Sequence, residues 1–199
     1  RDGELLAFHD HRLDRVTNAS GVIRELDFAE IQTARVAGRE PIPLLADLIA
    51  AFPDTRFNID LKADNTVQPF LALIQQLRCQ DRICVGSFSH ERVLAVRTAF
   101  PRICTSLTPK EVFWARLRSF HIPTFKIHGD CAQVPERSGK VPLVDPRFLN
   151  TARKLGIQTH VWTINEVHDM RRLSNLGVEG LMTDDASALK QVLQDLGRW

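Results

Sequence analysis

Apolar and polar positions along the chain follow two alternating rhythms. Short β-branched or apolar runs begin near Phe57 (FNIDL), Ile83 (ICVGS), Ile103 (ICTSL), Thr124 (TFKIH), Ile157 (IQTHVWT) and Glu179 (EGLMTD), and a helix-like segment follows each one. The pattern predicts six β–α units in succession. Two of the helical stretches, 167–176 and 186–197, carry apolar residues at three-to-four spacing, as in a helix laid on a sheet (Val167, Met170, Leu173, Leu176; Leu189, Val192, Leu193, Leu196). Start signals are of the expected chemistry: Thr108-Pro109-Lys110-Glu111 reads as a capping box with Pro at the first helical position, and Asp145-Pro146 as a cap followed by Pro.

Strands that are nearly continuous apolar runs, each followed by a covering helix, imply a parallel sheet buried on both faces. An open doubly wound sheet would usually carry a glycine-rich phosphate turn after its first strand, and no G-x-G-x-x-G occurs. The alternative is a (β/α)8 TIM barrel. Six units in 199 residues then fit a single domain over 1–199 whose first two strands lie upstream of Arg1. The opening residues, Arg1-Asp2-Gly3-Glu4, lead straight into a strand-like run. Residues 9–43 break the rhythm: Ala19-Ser20-Gly21 is a turn, Pro41 and Pro43 bracket a bend, and the stretch reads as a small insertion. Strand edges left unpaired by missing neighbours would favour homo-oligomers.

Composition removes several classes of function. The longest apolar stretch, Leu44 to Phe52, is broken by Asp47 and is too short to span a bilayer. Twenty-six basic against 24 acidic residues, scattered along the chain, give no clustered face for nucleic acid. Cys79, Cys84, Cys104 and Cys131 form neither a disulfide framework nor a tetrahedral zinc pattern, so they read as reduced thiols, and a cytoplasmic setting is expected.

In a barrel, reactive residues stand at the C-terminal ends of strands. The candidates are His9 and Asp10, Asp60 and Lys62, Ser87 to Ser89, Thr108, His128, Trp162 to Asn165, and Thr183 to Asp185. Alternation along a strand turns Asp60 and Lys62 to the same side, where a carboxylate beside an ammonium could hold a hard cation together with an anionic substrate. A structural ion pair is the plainer reading of the same two residues. His9-Asp10 fits a histidine oriented by its neighbour for acid–base work, or a loop pair without chemistry. Trp162 is either core or a stacking platform. His90, His121 and His168 fall on helices or their ends and read as surface or packing residues.

Asp2-Gly3 through His9-Asp10, continued by Leu13, Arg15, Thr17-Asn18 and Ser20-Gly21, resembles a segment of the glycerophosphodiester phosphodiesterases. So do Asn58-Ile59-Asp60-Leu61-Lys62, Ser87-Phe88, Val161-Trp162-Thr163-Ile164-Asn165, and Gly177-Val178-Glu179-Gly180 with Thr183-Asp184, in the family's order. The resemblance implies a (β/α)8 barrel with an insertion after strand two. It implies metal-dependent hydrolysis of a small-molecule glycerophosphodiester to glycerol 3-phosphate and an alcohol such as choline or ethanolamine. His9 matches the second of two catalytic histidines, Asp60 a ligand of a divalent metal (Mg²⁺ or Ca²⁺), Lys62 the phosphate-facing lysine, and Trp162 the ring on the glycerol side. The family's first histidine and two further carboxylates fall upstream of Arg1, and Asp60 stands where the pattern has Glu. Two alternatives accompany this expectation: a catalytically silent phosphate-binding or interaction barrel, and a related lysophospholipase D or sphingomyelinase-type enzyme.

Overall fold

A computed structural model describes all of Arg1–Trp199. In chain order the elements are α1 (Phe28–Ile31), α2 (Leu45–Ala51), β1 (Phe57–Asp60), α3 (Val67–Leu77), β2 (Ile83–Gly86), α4 (His90–Ala99), β3 (Cys104–Thr105), α5 (Pro109–Arg118), β4 (Cys131–Pro135), β5 (Arg137–Ser138), β6 (Val141–Pro142), α6 (Pro146–Lys154), β7 (Gln158–Trp162), α7 (Val167–Leu176), β8 (Gly180–Leu181) and α8 (Ala186–Asp195). The chain divides into two compact units, Arg1–Ser87 with Glu91–Ile103, and Phe88–His90 with Cys104–Trp199.

In the first unit β1 and β2 pair in parallel, with Asp60 opposite Gly86. Helix α3 buries Val67, Phe70 and Ile74, one stripe at three-to-four spacing, against Leu45, Ile49, Ile83 and Val85. Residues 9–43 contain no long helix. They hold a small cluster of their own around Leu13, Ile31, Ala34 and Ile42, with the bridges Arg12–Val22 and Thr17–Val36. The stretch is irregular, as its broken rhythm predicts, and the strand-like opening run is reduced to a bridge between Leu6 and Leu44.

In the second unit β4, β7 and β8 form a parallel sheet in the order β4–β7–β8. Alternation sends Ala132, Val134, Thr159 and Val161 into a core with Phe148, Leu149, Met170 and Leu173. Helix α7 has the span its apolar spacing predicts and ends at Gly177, whose φ of +91° lets the chain turn away from the helix axis. The capping signals hold: Glu111 accepts from Thr108 N at 2.9 Å, and the Asp145 carboxylate accepts from Phe148 N at 2.8 Å.

One predicted strand is absent. Thr124–His128 is irregular, and the strand lies later, at Cys131–Pro135. The physical reason is tethering to α5. Arg118 donates to the Thr124 and Phe125 carbonyls at 3.2 Å each, and His128 N donates to Glu111 Oε1 at 3.2 Å, so these backbone groups serve a helix rather than a sheet. Near Ile103 and Glu179 the strands shrink to two residues each, Cys104–Thr105 and Gly180–Leu181. None of the four cysteines forms a disulfide. No helix is long and apolar enough to cross a membrane.

Candidate functional site

The first unit brings Asp60 and Lys62 together, as their two-residue spacing predicts. Lys62 Nζ donates to Asp60 Oδ2 at 2.6 Å, with both side chains about one-third exposed (30% and 33%). The other carboxylate oxygen, Asp60 Oδ1, is buried and has no hydrogen-bond partner. A buried carboxylate oxygen left unsatisfied is costly, so the arrangement is suited to receiving a further positive charge.

The turn that carries this pair is held from two sides. Leu61, between the two charged residues, donates its N–H to Gly86 O at 2.9 Å. Its carbonyl accepts from Ser87 Oγ at 2.8 Å and from Arg92 Nη1 at 3.0 Å. Arg92 also reaches Asp64 with its Nε at 2.6 Å. The end of β2 and the face of α4 therefore pin the backbone from which Asp60 and Lys62 project. Arg92 was not among the residues expected from sequence, because it lies inside a helix where an arginine reads as a solvated charge.

His9 and Asp10 also meet. His9 Nδ1 lies 2.8 Å from Asp10 Oδ1, and Arg15 donates to the same carboxylate at 2.5 and 3.0 Å. The hydrogen bonds from Arg15, and then from His9, hold the Asp10 carboxyl far below the usual carboxylate range. Asp10 therefore stays an ionised acceptor, which assigns the proton to His9 Nδ1 and turns Nε2 into the free position. The His9 side chain is 76% exposed.

A cleft of about 1010 Å³ runs along this unit, lined among others by Asp10, Arg12, Lys62, Asp64 and Arg92. Asp10 and Lys62 thus share one concavity, whereas the His9 ring and the Asp60 carboxylate stand outside its lining.

In the second unit Trp162 ends β7, and its ring meets Phe88 edge-on with centroids 6.3 Å apart. Beside it Asn165 locks two strand ends together: its Nδ2 donates to Asp184 at 2.9 Å, and its Oδ1 accepts from Asp184 N at 3.0 Å and Thr183 Oγ1 at 3.2 Å. Two of the segments that look like motifs in sequence, Val161–Asn165 and Thr183-Asp184, are thus joined by hydrogen bonds in space. His128 gives its backbone N–H to Glu111.

With the geometry in view, comparison with known proteins identifies relatives. A match to the glycerophosphoryl diester phosphodiesterase family runs over residues 1–188. A probable glycerophosphodiester phosphodiesterase 2 of Mycobacterium tuberculosis is 33% identical over 205 residues, covering 100% of this chain and 78% of that protein. A lysophospholipase D of Rattus norvegicus is 24% identical over 241 residues, covering 98% of this chain and 74% of its own. Among solved structures, an Oleispira antarctica phosphodiesterase in complex with the product sn-glycerol-3-phosphate superposes with a TM-score of 0.79 at 19% identity, over 97% of this chain and 81% of that one. A fold shared at that level agrees with the parallel β–α repeats described above. With the match extending over nearly its whole length, the chain belongs to the glycerophosphoryl diester phosphodiesterase family.

Proposed function

We propose that the protein hydrolyses glycerophosphodiesters, breaking one P–O bond with water to release glycerol 3-phosphate and an alcohol. The observation that carries this reading is the Asp60–Lys62 pair, in which one carboxylate oxygen holds the ammonium and the other is buried without a partner. Family membership and the names of the relatives support it.

The donor set fits a hard divalent cation, Mg²⁺ or Ca²⁺: Asp60 Oδ1 is an oxygen donor with no competing hydrogen bond, and a carboxylate is the ligand type such ions take. When bound, the cation would lower the charge on the phosphoryl oxygens. Lys62 binds the anionic phosphodiester and offsets its charge. His9, with Nδ1 directed at Asp10, carries the exchangeable proton at Nε2, taking it from water or giving it to the departing alkoxide. Asp10 and Arg15 keep that ring in one tautomer. The Trp162 ring supplies an apolar wall for the glycerol carbons.

The finer form of the fold belongs to the same proposal: 1–199 as part of a single (β/α)8 barrel domain, with residues 9–43 as its insertion. We also propose a cytoplasmic setting, which the lack of disulfides among the four cysteines supports, and self-association through strand edges.

The exposure of His9 and its absence from the cleft lining favour a second reading, a phosphate-binding protein without turnover. Turnover of glycerophosphocholine by the wild type and by His9→Ala, run beside calorimetric titration with glycerol 3-phosphate, separates the two. The hydrolase reading expects loss of turnover in the variant with the fold and product binding kept. Saturable binding by a wild-type protein that releases no product would replace it with the second reading.

A further inference from the structure

Between Pro109 and Gly129 the chain carries four cationic residues, Lys110, Arg116, Arg118 and Lys126, and a single acidic one, Glu111. That carboxylate is withdrawn: Glu111 is 1% exposed and is occupied by Thr108 N, Thr108 Oγ1 and His128 N. The same stretch leaves large apolar side chains in solvent, with Phe113 at 59%, Phe120 at 47%, Ile122 at 45% and Phe125 at 74% exposure. Such side chains exposed so near one another in the chain exceed the scatter expected of an ordinary surface.

The patch is preformed. Trp114 packs on Phe125 with ring centroids 5.1 Å apart, and Lys110 Nζ lies 5.1 Å from the Trp114 ring centroid. Arg116 and Arg147 stand over the Phe120 ring at 4.7 and 5.8 Å. Arg118 ties the Thr124 and Phe125 carbonyls to α5, fixing Phe125 beside the helix. Little further ordering is required before this face meets a partner.

We propose that the face formed by α5 and residues 119–128 docks on the surface of a bilayer carrying anionic headgroups. Exposed phenylalanines and an isoleucine interspersed with Lys110, Arg118, Lys126 and Arg147, beside an Arg116 already paired with Asp145, are complementary to such a surface, where rings enter the headgroup region and lysines meet lipid charge. A single-stranded nucleic acid would need free ring faces for its bases. Here Phe120 already lies under guanidinium groups, Trp114 under Lys110 and against Phe125, and Ile122 has no ring to offer. The inference stands apart from the proposed hydrolysis, because none of these residues belongs to the Asp60–Lys62 or His9–Asp10 pairs.

Co-sedimentation of the purified protein with vesicles of phosphatidylcholine, and of phosphatidylcholine mixed with phosphatidylglycerol, tests it. Retention on the mixed vesicles, weakening with added salt and greater than on phosphatidylcholine alone, is the expected result. Lys110→Gln and Lys126→Gln should each weaken that binding about fivefold. Phe113→Ser and Phe125→Ser should each weaken it on the order of tenfold. Lys190→Gln, outside the patch, should leave it unchanged, and circular dichroism of each variant confirms the fold. The salt dependence of the wild type alone keeps the test decisive if a variant does not fold. Failure of the wild type to bind the mixed vesicles, indifference to the four patch substitutions, or stronger retention on polyuridylate than on vesicles would overturn the proposal.

Discussion

Asp60 carries two different demands on its two oxygens, one answered by Lys62 at 2.6 Å and the other buried and unanswered. The ion pair alone does not account for a carboxylate placed so that half of its accepting capacity is lost, whereas the proposed role as a cation ligand does. In the proposed reaction His9 shows the same division at a single ring, with Asp10 holding Nδ1 and Nε2 serving proton transfer. His9→Gln, which keeps a polar side chain of similar reach but removes the imidazole, should lower turnover of glycerophosphocholine on the order of a hundredfold or more without changing the melting temperature. Steady-state kinetics beside thermal denaturation checks this. Gly180 states a packing constraint at the same scale: a Cβ there would lie 2.7 Å from His160 Cδ2. Gly180→Ala should therefore cost about 1–3 kcal/mol in chemical denaturation, as overpacking does.

Elements place these residues, and their boundaries explain what could be read beforehand. Helix α7 and the caps at Thr108 and Asp145 were legible because each depends on chemistry within a few residues: apolar spacing, a carboxylate three positions from a threonine, an aspartate before a proline. The strand expected at Thr124 was not. Its apolar alternation is real, but Glu111 and Arg118 claim its backbone, and that claim is a tertiary one no local pattern displays. Arg92 escaped for the same reason, since only the fold reveals that its guanidinium reaches the Leu61 carbonyl. Ser87→Ala, which removes the partner donor to that carbonyl, should lower kcat/KM about tenfold through loss of one positioning hydrogen bond. Kinetic comparison with Ser87→Thr, which restores the hydroxyl, separates positioning from general damage. At α6, Asp145 is both N-cap and partner of Arg116, at 2.8 and 2.7 Å. The Arg116 guanidinium, above all, holds its carboxyl below the usual range. Asp145→Ala should cost about 2 kcal/mol in urea denaturation.

At the scale of the whole molecule, the small net charge of +2 conceals an uneven distribution along the chain, with four cationic residues and one buried acidic residue, Glu111, between Pro109 and Gly129. Stability against pH follows from groups whose titration differs between folded and unfolded chains. Burial pushes the His160 imidazole below its ordinary value, so the folded state takes up its proton less readily than the unfolded one. Its contribution is present above the unfolded pKa of about 6.5 and is lost as pH falls through the lowered folded value. Melting temperature should therefore drop between about pH 7 and about pH 5, and less steeply in His160→Gln. The family relation was legible from five ordered segments, because each keeps its residue types at fixed spacing. Their mutual support was not, since the hydrogen bonds of Asn165 to Thr183 and Asp184 join parts of the chain 18 and 19 residues apart.

The decisive measurement is release of glycerol 3-phosphate from glycerophosphocholine, by the wild type and by Asp60→Asn, with Mg²⁺ or Ca²⁺ and then with a chelator. Release by the wild type should require the cation, and Asp60→Asn should lose on the order of a hundredfold or more with the fold retained. Release that persists undiminished in chelator, or in Asp60→Asn, would contradict the proposed role of Asp60 as a cation ligand.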